Sequence, residues 1–435
     1  MLKRLLVAFA LFIVMVFGGI EIWLASYRVT DPAKAEQIYN DTVVKVRARD
    51  ALAQDTGKNG FGDFQKLLQI RPDEDGRPCY KALSDWSYPA TGKKDSDILV
   101  AYGTSSRKIR EAVKVFESVL PTVIAVLAKT NFLWPSELDQ GPNRTPRPFL
   151  EMRALAQNLV GYSEYCEVTG KHPQALNNYL WTLEFGSKVG QNGGLMPSMI
   201  GIGINAIGLE GAIGFLGRSP ELTREDYRSA LARLEALPLT PQTFLDRMDE
   251  EYVLNLITVD ILGKNRNGKT DESSVGDLLL KLPGLLARER KVLQNIYLAQ
   301  RPSIEKLHPP FQDGTDVQNL VKRSRSMLAA ILVPNSDRAV IQFDYALTRI
   351  GGFKLLCGIE LYNLEQGSYP DTLEQLVPRV LKVLPQNFAN DDGKFTYKRR
   401  GDDFELSLGL SPTTAKVFGK KGAVSIDLHP PPPRK

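Results

Sequence analysis

Cysteine and histidine are scarce in this chain, which has only three of each among 435 residues. Cys79, Cys166 and Cys357 lie far apart, none belongs to a CxxC pair, and no HExxH sequence is present. Zinc sites and dithiol redox sites need closely spaced ligands of these types, so we expect neither a metal nor a cofactor. One disulfide could form in an oxidising compartment, but the spacing does not select a pair. Cys166 and Cys357 lie in apolar helical stretches, which is typical of small core side chains.

The chain also lacks a continuous basic pattern. Its net charge is +5, and lysine and arginine are scattered among aspartate and glutamate. The dense basic clusters are short and are found at 322–325, 398–400 and 420–421. Nucleic-acid-binding proteins concentrate their cations on one face and often interleave them with aromatic side chains. The sequence therefore predicts no nucleic-acid partner.

One long apolar run is present at the N-terminus. Residues 5–25 read LLVAFALFIVMVFGGIEIWLA and directly follow Lys3 and Arg4. At about 1.5 Å of rise per residue, this run spans roughly 30 Å, the thickness of the hydrocarbon core of a bilayer. The two cations favour a cytoplasmic N-terminus, so the rest of the chain should be exported. We predict a single-pass anchor in the inner (cytoplasmic) membrane and an extracytoplasmic, periplasmic body.

A cleaved secretory signal is the alternative interpretation of this run. Such signals have a shorter apolar region, of about 7–15 residues, followed by small residues at the cleavage site. Here Val16 and Gly18, ahead of Gly19, form only a mediocre cleavage sequence. Trp23 and Tyr27 stand where aromatic side chains mark a membrane interface, which favours an uncleaved anchor.

The rest of the chain has the composition of a globular protein. Hydrophobic residues make up 43% and charged residues 24%, and the length allows two or three domains. We predict a mainly α fold of helical hairpins, TPR-like in part, with a small C-terminal α+β module formed by a long helix and a short antiparallel sheet. The predicted divisions are an anchor at 1–27, an N-terminal helical region at 28–133, a Pro-rich linker at 134–148, a helical-hairpin body at 149–335, the α+β module at 336–428 and a Pro-rich tail at 429–435.

A helical hairpin is clearest at 151–168 and 174–189, with Gly170 at the turn. Its length is similar to that of one tetratricopeptide-type unit, although no second copy follows in register. Apolar periodicity and helix-start signals predict further helices at about 31–53, 109–127, 223–237, 240–262, 277–299, 316–332 and 339–365.

The segment 195–217 is long and apolar enough to be a second membrane span. Asn205 and Glu210 lie in its middle, and a charge there costs a few kcal/mol in lipid. The glycines at 201, 203, 208, 211 and 214 would allow close packing against a neighbouring helix. We therefore predict a helix buried inside the helical body.

The C-terminal region carries a spaced set of aromatic, glycine, proline and aliphatic residues after its long helix. These are Tyr362, Gly367, Tyr369, Pro370, Leu373, Leu376, Val377, Leu384 and Pro385, with strands at about 394–399 and 403–409. This layout resembles the globular half of type II secretion major pseudopilins, which have a long helix ending in a Y-x-x-x-x-G-x-Y-P turn, then an L-x-x-L-V helix, an LP pair and a small antiparallel sheet. The whole layout also resembles uncharacterised membrane-anchored helical proteins of bacterial envelopes. The resemblance implies an accessory role in a secretion or pilus-type assembly.

Two departures limit what this resemblance implies. Pseudopilins bind calcium through acidic residues in the loop after the SLG strand, whereas the loop here reads LSPTTAKVFGKKGA and has no acidic residue. The calcium site therefore does not carry over. In addition, the glycine and glutamate of a pilin-type leader are missing, because Gly18, Gly19 and Glu21 come after most of the apolar run.

The residues 263–270, GKNRNGKT, match the P-loop pattern G-x-x-x-x-G-K-[ST]. In a P-loop, Gly263 and Gly268 would shape the phosphate cradle, Lys269 would reach the β- and γ-phosphates, and Thr270 would hold Mg²⁺. The context favours an ordinary loop, because the residues before it continue a helical period and acidic residues follow it. A phosphate site at these four residues is the less favoured alternative.

Taken together, these patterns predict a membrane-anchored extracytoplasmic scaffold or protein-interaction protein without catalytic activity. Its expected partners are the membrane, through residues 5–25, and one or more proteins. The alternatives are an accessory component of a secretion or pilus-type assembly, and a P-loop nucleotide-binding protein.

Overall fold

The computed structural model describes residues 27–70, 78, 83, 107–218, 220–264, 284–306, 317–333, 336–418 and 424–428. Across these residues the fold is mainly helical, with a small three-stranded antiparallel sheet near the C-terminus, as the sequence predicts. The helices are α1 (Pro32–Ala53), α2 (Phe61–Leu67), α3 (Arg107–Ala128), α4 (Phe149–Val168), α5 (His172–Val189), α6 (Leu195–Leu216), α7 (Arg224–Glu235), α8 (Pro241–Lys264), α9 (Leu285–Lys306), α10 (Val317–Ser324), α11 (Met327–Leu332), α12 (Ser336–Gln366) and α13 (Pro412–Val417). The strands are β1 (Phe395–Arg400), β2 (Asp403–Leu410) and β3 (Val424–Asp427).

The chain forms two compact units, each built from three separate stretches. The first unit comprises the described parts of Met1–Arg47, Ser136–Pro146 and Leu245–Asp337. The second comprises those of Ala48–Pro135, Arg147–Phe244 and Arg338–Lys435. The domain boundaries that composition predicts stay predictions.

The predicted hairpin of α4 and α5 lies in the second unit. Gly170 makes the turn with a φ of +75°, a left-handed conformation that glycine adopts without strain. A capping box begins α7: the Thr223 side chain accepts from the Asp226 N–H, and the Asp226 carboxylate accepts from the Thr223 N–H. Local sequence signals therefore define these helix ends.

Helix α6 packs closely along α5, as its glycines predict. A Cβ at Gly201 would meet the backbone of Gly186 and lie 2.8 Å from the Gly190 nitrogen. A Cβ at Gly208 would lie 3.1 Å from Thr182. Glycine thus lets the two helix backbones approach each other where any larger residue would separate them.

By length and composition, α6 is the one helix in the described part of the chain that could cross a membrane. Just over half of its most apolar window, 56%, is buried inside the protein. The core helix of a soluble protein passes the same length test, so this feature is weak evidence for a second span. The predicted anchor at 5–25 lies outside the described residues.

The C-terminal module consists of α12 and the sheet. Gly367 follows α12 with a φ of +74°, and the aromatic ring of Tyr369 lies 4.9 Å from that of Phe404 on β2. The two-residue turn at Gly401 and Asp402 joins β1 to β2, and the register runs from Phe395 opposite Leu408 to Arg400 opposite Asp403. β2 lies between β1 and β3, so β1 and β3 are the edges of the sheet.

Three helix predictions need correction. The single helix expected at 316–332 is two helices, α10 and α11, because Arg325 adopts a φ of +50° and Ser326 caps a new helix start. The helix expected at 277–299 continues to Lys306, through Pro302, although its first residues lie outside the described range. The helix expected after Pro370 is a short 3₁₀ turn at Leu373–Leu376.

Candidate functional site

A pocket between α8 and α9 is the candidate site in the first unit. Its cavity is small, about 30 Å³, and its mouth is open to solvent. Apolar and aromatic side chains form most of its wall, and three polar side chains complete it. The lining residues are Met248, Glu251, Tyr252, Asn255, Leu293, Ile296, Tyr297, Gln300 and Val333.

Two stacked tyrosines form one wall of this pocket. The rings of Tyr252, on α8, and Tyr297, on α9, lie nearly parallel with an interplanar angle of 11° and centroids 4.3 Å apart. The Tyr252 hydroxyl donates to the carbonyl of Ala35 at 3.3 Å, and the Tyr297 hydroxyl donates to Asp249. Because both hydroxyls are anchored, the two rings present a fixed aromatic surface.

Asp249 joins the tyrosine wall to an arginine. The Arg301 guanidinium lies 3.3 Å from the Asp249 carboxylate, and Arg301 also pairs with Glu305 on its own helix. Burial raises the pKa of Asp249, and the hydrogen bond and charge of Arg301 oppose that rise. Asp249 is therefore a structural acceptor that orients Tyr297 and not an exposed base.

The polar side chains of the pocket lie among the apolar ones. Glu251 and Asn255 are one turn apart on α8 and half-buried, and Gln300 on α9 is buried. Small-molecule and side-chain pockets commonly combine an apolar wall with a few polar groups that fix the orientation of the ligand. Chemically, this arrangement suits an aliphatic or aromatic group that carries a neighbouring hydrogen-bond donor.

The predicted phosphate-binding residues are only partly within the described structure. Gly263 lies in the last turn of α8, so the residues before the GKNRNGKT sequence are helical, as predicted. Gly268, Lys269 and Thr270 lie outside the described residues. The phosphate site at these positions stays a prediction.

The carboxylates that α8 carries near its start are held by neighbouring groups. Asp246 forms an ion pair of 2.8 Å with Lys45, and Asp249 pairs with Arg301.

In the second unit, Cys166 and Cys357 are buried free thiols, which confirms their predicted place in the core. Cys79 lies outside the described residues.

The sequence analysis missed the pocket, although Met248 and Tyr252 stand four residues apart and so share one face of α8. The signal on α9 is the spacing of Leu293, Ile296, Tyr297 and Gln300 by three and four residues, which marks one helix face. Periodicity identifies such faces one at a time. It does not state which two faces meet, so the stacked tyrosines could not be paired from the sequence.

Comparison of the chain with protein-family models, with curated proteins and with solved structures finds no match. Within the described residues, no group of three or more histidine, cysteine, aspartate or glutamate side chains could hold a metal ion.

Proposed function

We propose that this protein is a membrane-anchored, extracytoplasmic scaffold or protein-interaction protein without catalytic activity. The observation that carries the proposal is the pocket between α8 and α9, with its fixed tyrosine wall and apolar lining. Binding hot spots combine such desolvated apolar pockets with inserted anchor side chains. The proposed occupant is an aliphatic or aromatic anchor residue of a protein partner.

The apolar run at 5–25 supports the location of this activity. A periplasmic body held at the inner membrane would meet its partners in the cell envelope. The proposal for the pocket does not depend on whether that run is an anchor or a cleaved signal, since either would export the body.

The test is the recovery of crosslinked partners with the full chain from membranes, identified by mass spectrometry. Asn255→Trp would place a bulky ring in the pocket, and we expect it to lower recovery of the partner about tenfold, the effect of losing one anchor side chain. Val44→Trp is the matched control, because Val44 is 68% exposed on α1 of the same unit. A wild-type chain that purifies as a monomer without any partner would contradict the proposal, as would equal recovery with Asn255→Trp.

A second candidate function is an accessory role in a secretion or pilus-type assembly. The observations that favour it are the long helix α12, the turn at Gly367 and the small antiparallel sheet, together with the sequence resemblance of this region to major pseudopilins. If it holds, deletion of residues 339–435 should impair secretion or piliation. Val383→Asp, at a position 74% exposed in this module, should give a milder defect at an unchanged protein level. Normal secretion and piliation in the deletion strain would remove this candidate.

A further inference from the structure

Strand β1 is an edge of the sheet in the second unit, and its outer side has no described partner. β1 pairs with β2 along its whole length, from Phe395 opposite Leu408 to Arg400 opposite Asp403. Among the described strands, none lies beyond β1 in the sheet. An edge strand of this kind exposes backbone N–H and C=O groups that can pair with another strand.

The turn identifies which backbone groups are exposed. Gly401 has a φ of +64° in a two-residue turn, so Arg400 and Asp403 form the closing hydrogen-bonded pair. Antiparallel pairs alternate, and Lys398 therefore bonds to β2 while Tyr397 and Arg399 direct their backbone groups outward. The free edge thus offers two donors and two acceptors in the spacing of an antiparallel ladder.

The side chains of β1 give this edge a positive charge. Lys398 and Arg400 are exposed on the solvent face, together with Thr396, and Arg400 pairs with Glu405 of β2 at 2.5 Å. Arg399 is half-buried on the other face, where it pairs with Asp371 at 2.7 Å. Lys398 is therefore the cation of β1 that has no ion pair among the described residues, and it lies on an edge strand of the sheet.

Cations on an edge strand oppose pairing with another copy of the same strand, because like charges would face each other. The same cations favour a strand of opposite charge. A carboxylate on the added strand, directly opposite Lys398, would attract it where a cation of a second β1 would repel it. The Cβ atoms of such a cross-strand pair lie about 5 Å apart.

We propose that β1 binds an extended acidic segment of a protein partner, which adds to the sheet as a fourth strand. Carboxylates at alternate positions of the segment would face Lys398 and Arg400. The intervening apolar residues would lie on the half-buried face beside Tyr397 and Arg399, and they would supply the backbone groups that bond to β1. This surface is distinct from the pocket between α8 and α9, and different variants test the two proposals.

The first experiment measures the fluorescence anisotropy of labelled nine-residue peptides with the full chain in detergent. A peptide that alternates glutamate with valine should bind. A peptide with lysine in place of glutamate, and one of the same composition with its glutamates in a single block, should bind at least about tenfold more weakly, because charge or pattern is lost. Equal binding of the block peptide would show simple charge attraction and would overturn the proposal.

N-methylation of the peptide backbone distinguishes binding by strand addition from binding by charge attraction alone. Methylation of the valine nitrogens removes the donors that face β1, and we expect about fivefold weaker binding for each hydrogen bond lost. Methylation of the glutamate nitrogens affects the outer side of the peptide and should leave binding nearly unchanged. If both methylated peptides bind like the parent, no ladder forms and the proposal is wrong.

A pair of variants tests the same edge from the protein side. Arg399→Pro removes an outward N–H, a change that edge strands tolerate. Arg399→Ala removes the same ion pair with Asp371 but keeps the N–H, so it is the matched control. We expect Arg399→Pro to bind the alternating peptide about fivefold more weakly than Arg399→Ala.

Circular dichroism checks that both variants fold, and the methylated peptides decide the question with the wild-type chain if Arg399→Pro does not. Vesicles of phosphatidylglycerol test the remaining anionic ligand. Binding to these vesicles without binding of the alternating peptide would assign the basic strand to the membrane and overturn the proposal.

Discussion

At the scale of single residues, Asp344 is a buried carboxyl group without a hydrogen-bond partner among the described residues. It lies on α12 with 1% of its surface exposed. Burial alone raises the pKa of Asp344 from 3.8 to about 8. A protonated carboxyl is the form that such a site accommodates.

This raised pKa predicts how the stability of the protein depends on pH. Below pH 3.8 the group is protonated in both the folded and the unfolded chain. As the pH rises towards 8, the unfolded chain ionises first, so the free energy of unfolding falls, by an amount on the order of several kcal/mol. Above the folded pKa this loss is complete.

Asp344→Asn should remove this dependence because asparagine does not titrate. We expect the variant to gain stability relative to the wild type between pH 5 and pH 8, as measured by urea unfolding at both values. Asp402→Asn, in the exposed turn between β1 and β2, is the control for the loss of a surface carboxylate. An identical difference between Asp344→Asn and wild type at pH 5 and pH 8 would contradict the prediction.

At the scale of elements, the contact between α5 and α6 can be tested with two glycines that lie two residues apart. A Cβ at Gly201 would meet the backbone of α5, whereas a Cβ at Gly203 would have nothing within 4 Å. We expect Gly201→Ala to destabilise the second unit by about 1–3 kcal/mol through overpacking. Gly203→Ala should stabilise it by up to about 1 kcal/mol, because alanine favours the helix. Thermal unfolding of both variants measures the difference, and a Gly201→Ala protein as stable as Gly203→Ala would mean that the helices are not in close contact.

Local signals predicted most of the helices. The stripe of Ile109, Val113 and Phe116 is buried along α3, as its spacing indicates. Pro121 lies inside this helix and has no backbone N–H to donate to the preceding turn. The helix nevertheless runs without a break from 107 to 128, because packing of its apolar face compensates for the lost hydrogen bond.

The break between α10 and α11 shows where local signals end. The buried Glu289 carboxylate on α9 accepts from the Leu328 N–H at 3.1 Å and from the Ser326 hydroxyl, which fixes the start of α11. Glu289 is 37 residues away from Ser326 in sequence. Arginine does not favour the left-handed conformation, so the sequence around Arg325 gives no local signal for this break. The tertiary contact with Glu289 explains it.

At the scale of the whole molecule, the candidate site and the β1 edge belong to different units. The pocket requires α8 and α9 to meet, and the edge requires the register of three strands. The sequence predicted most of the long helices from their spacing, and the resemblance of the C-terminal region predicted the first two strands. It could not predict the pocket, because the pairing of helix faces depends on the packing of the complete unit.

Nucleotide binding at residues 263–270 also concerns the whole molecule, because the compartment that holds these residues decides whether ATP is available to them. If Lys269 binds phosphate, the wild-type chain should bind ATP in the presence of Mg²⁺, and Lys269→Ala should abolish that binding. Lys264→Ala, in the last turn of α8, is a matched control because it removes a neighbouring cation at a position that the P-loop pattern leaves variable. Absence of ATP binding by the wild type would remove this alternative.

Topology is the prediction that separates these functions most directly. Lys3 and Arg4 ahead of the apolar run favour a cytoplasmic N-terminus and an exported C-terminus. A reporter enzyme that works only outside the cytoplasm should therefore be active when it is fused after Lys435. Deletion of residues 5–25 is the control, because the chain would then lose its export signal and the same reporter should be silent. A second reporter that is active only in the cytoplasm should give the opposite pattern in both strains. An external C-terminus would leave the scaffold and secretion proposals in place and would put residues 263–270 where ATP is scarce. A cytoplasmic C-terminus would overturn the orientation drawn from the N-terminal charges and would make Lys269→Ala the next variant to measure.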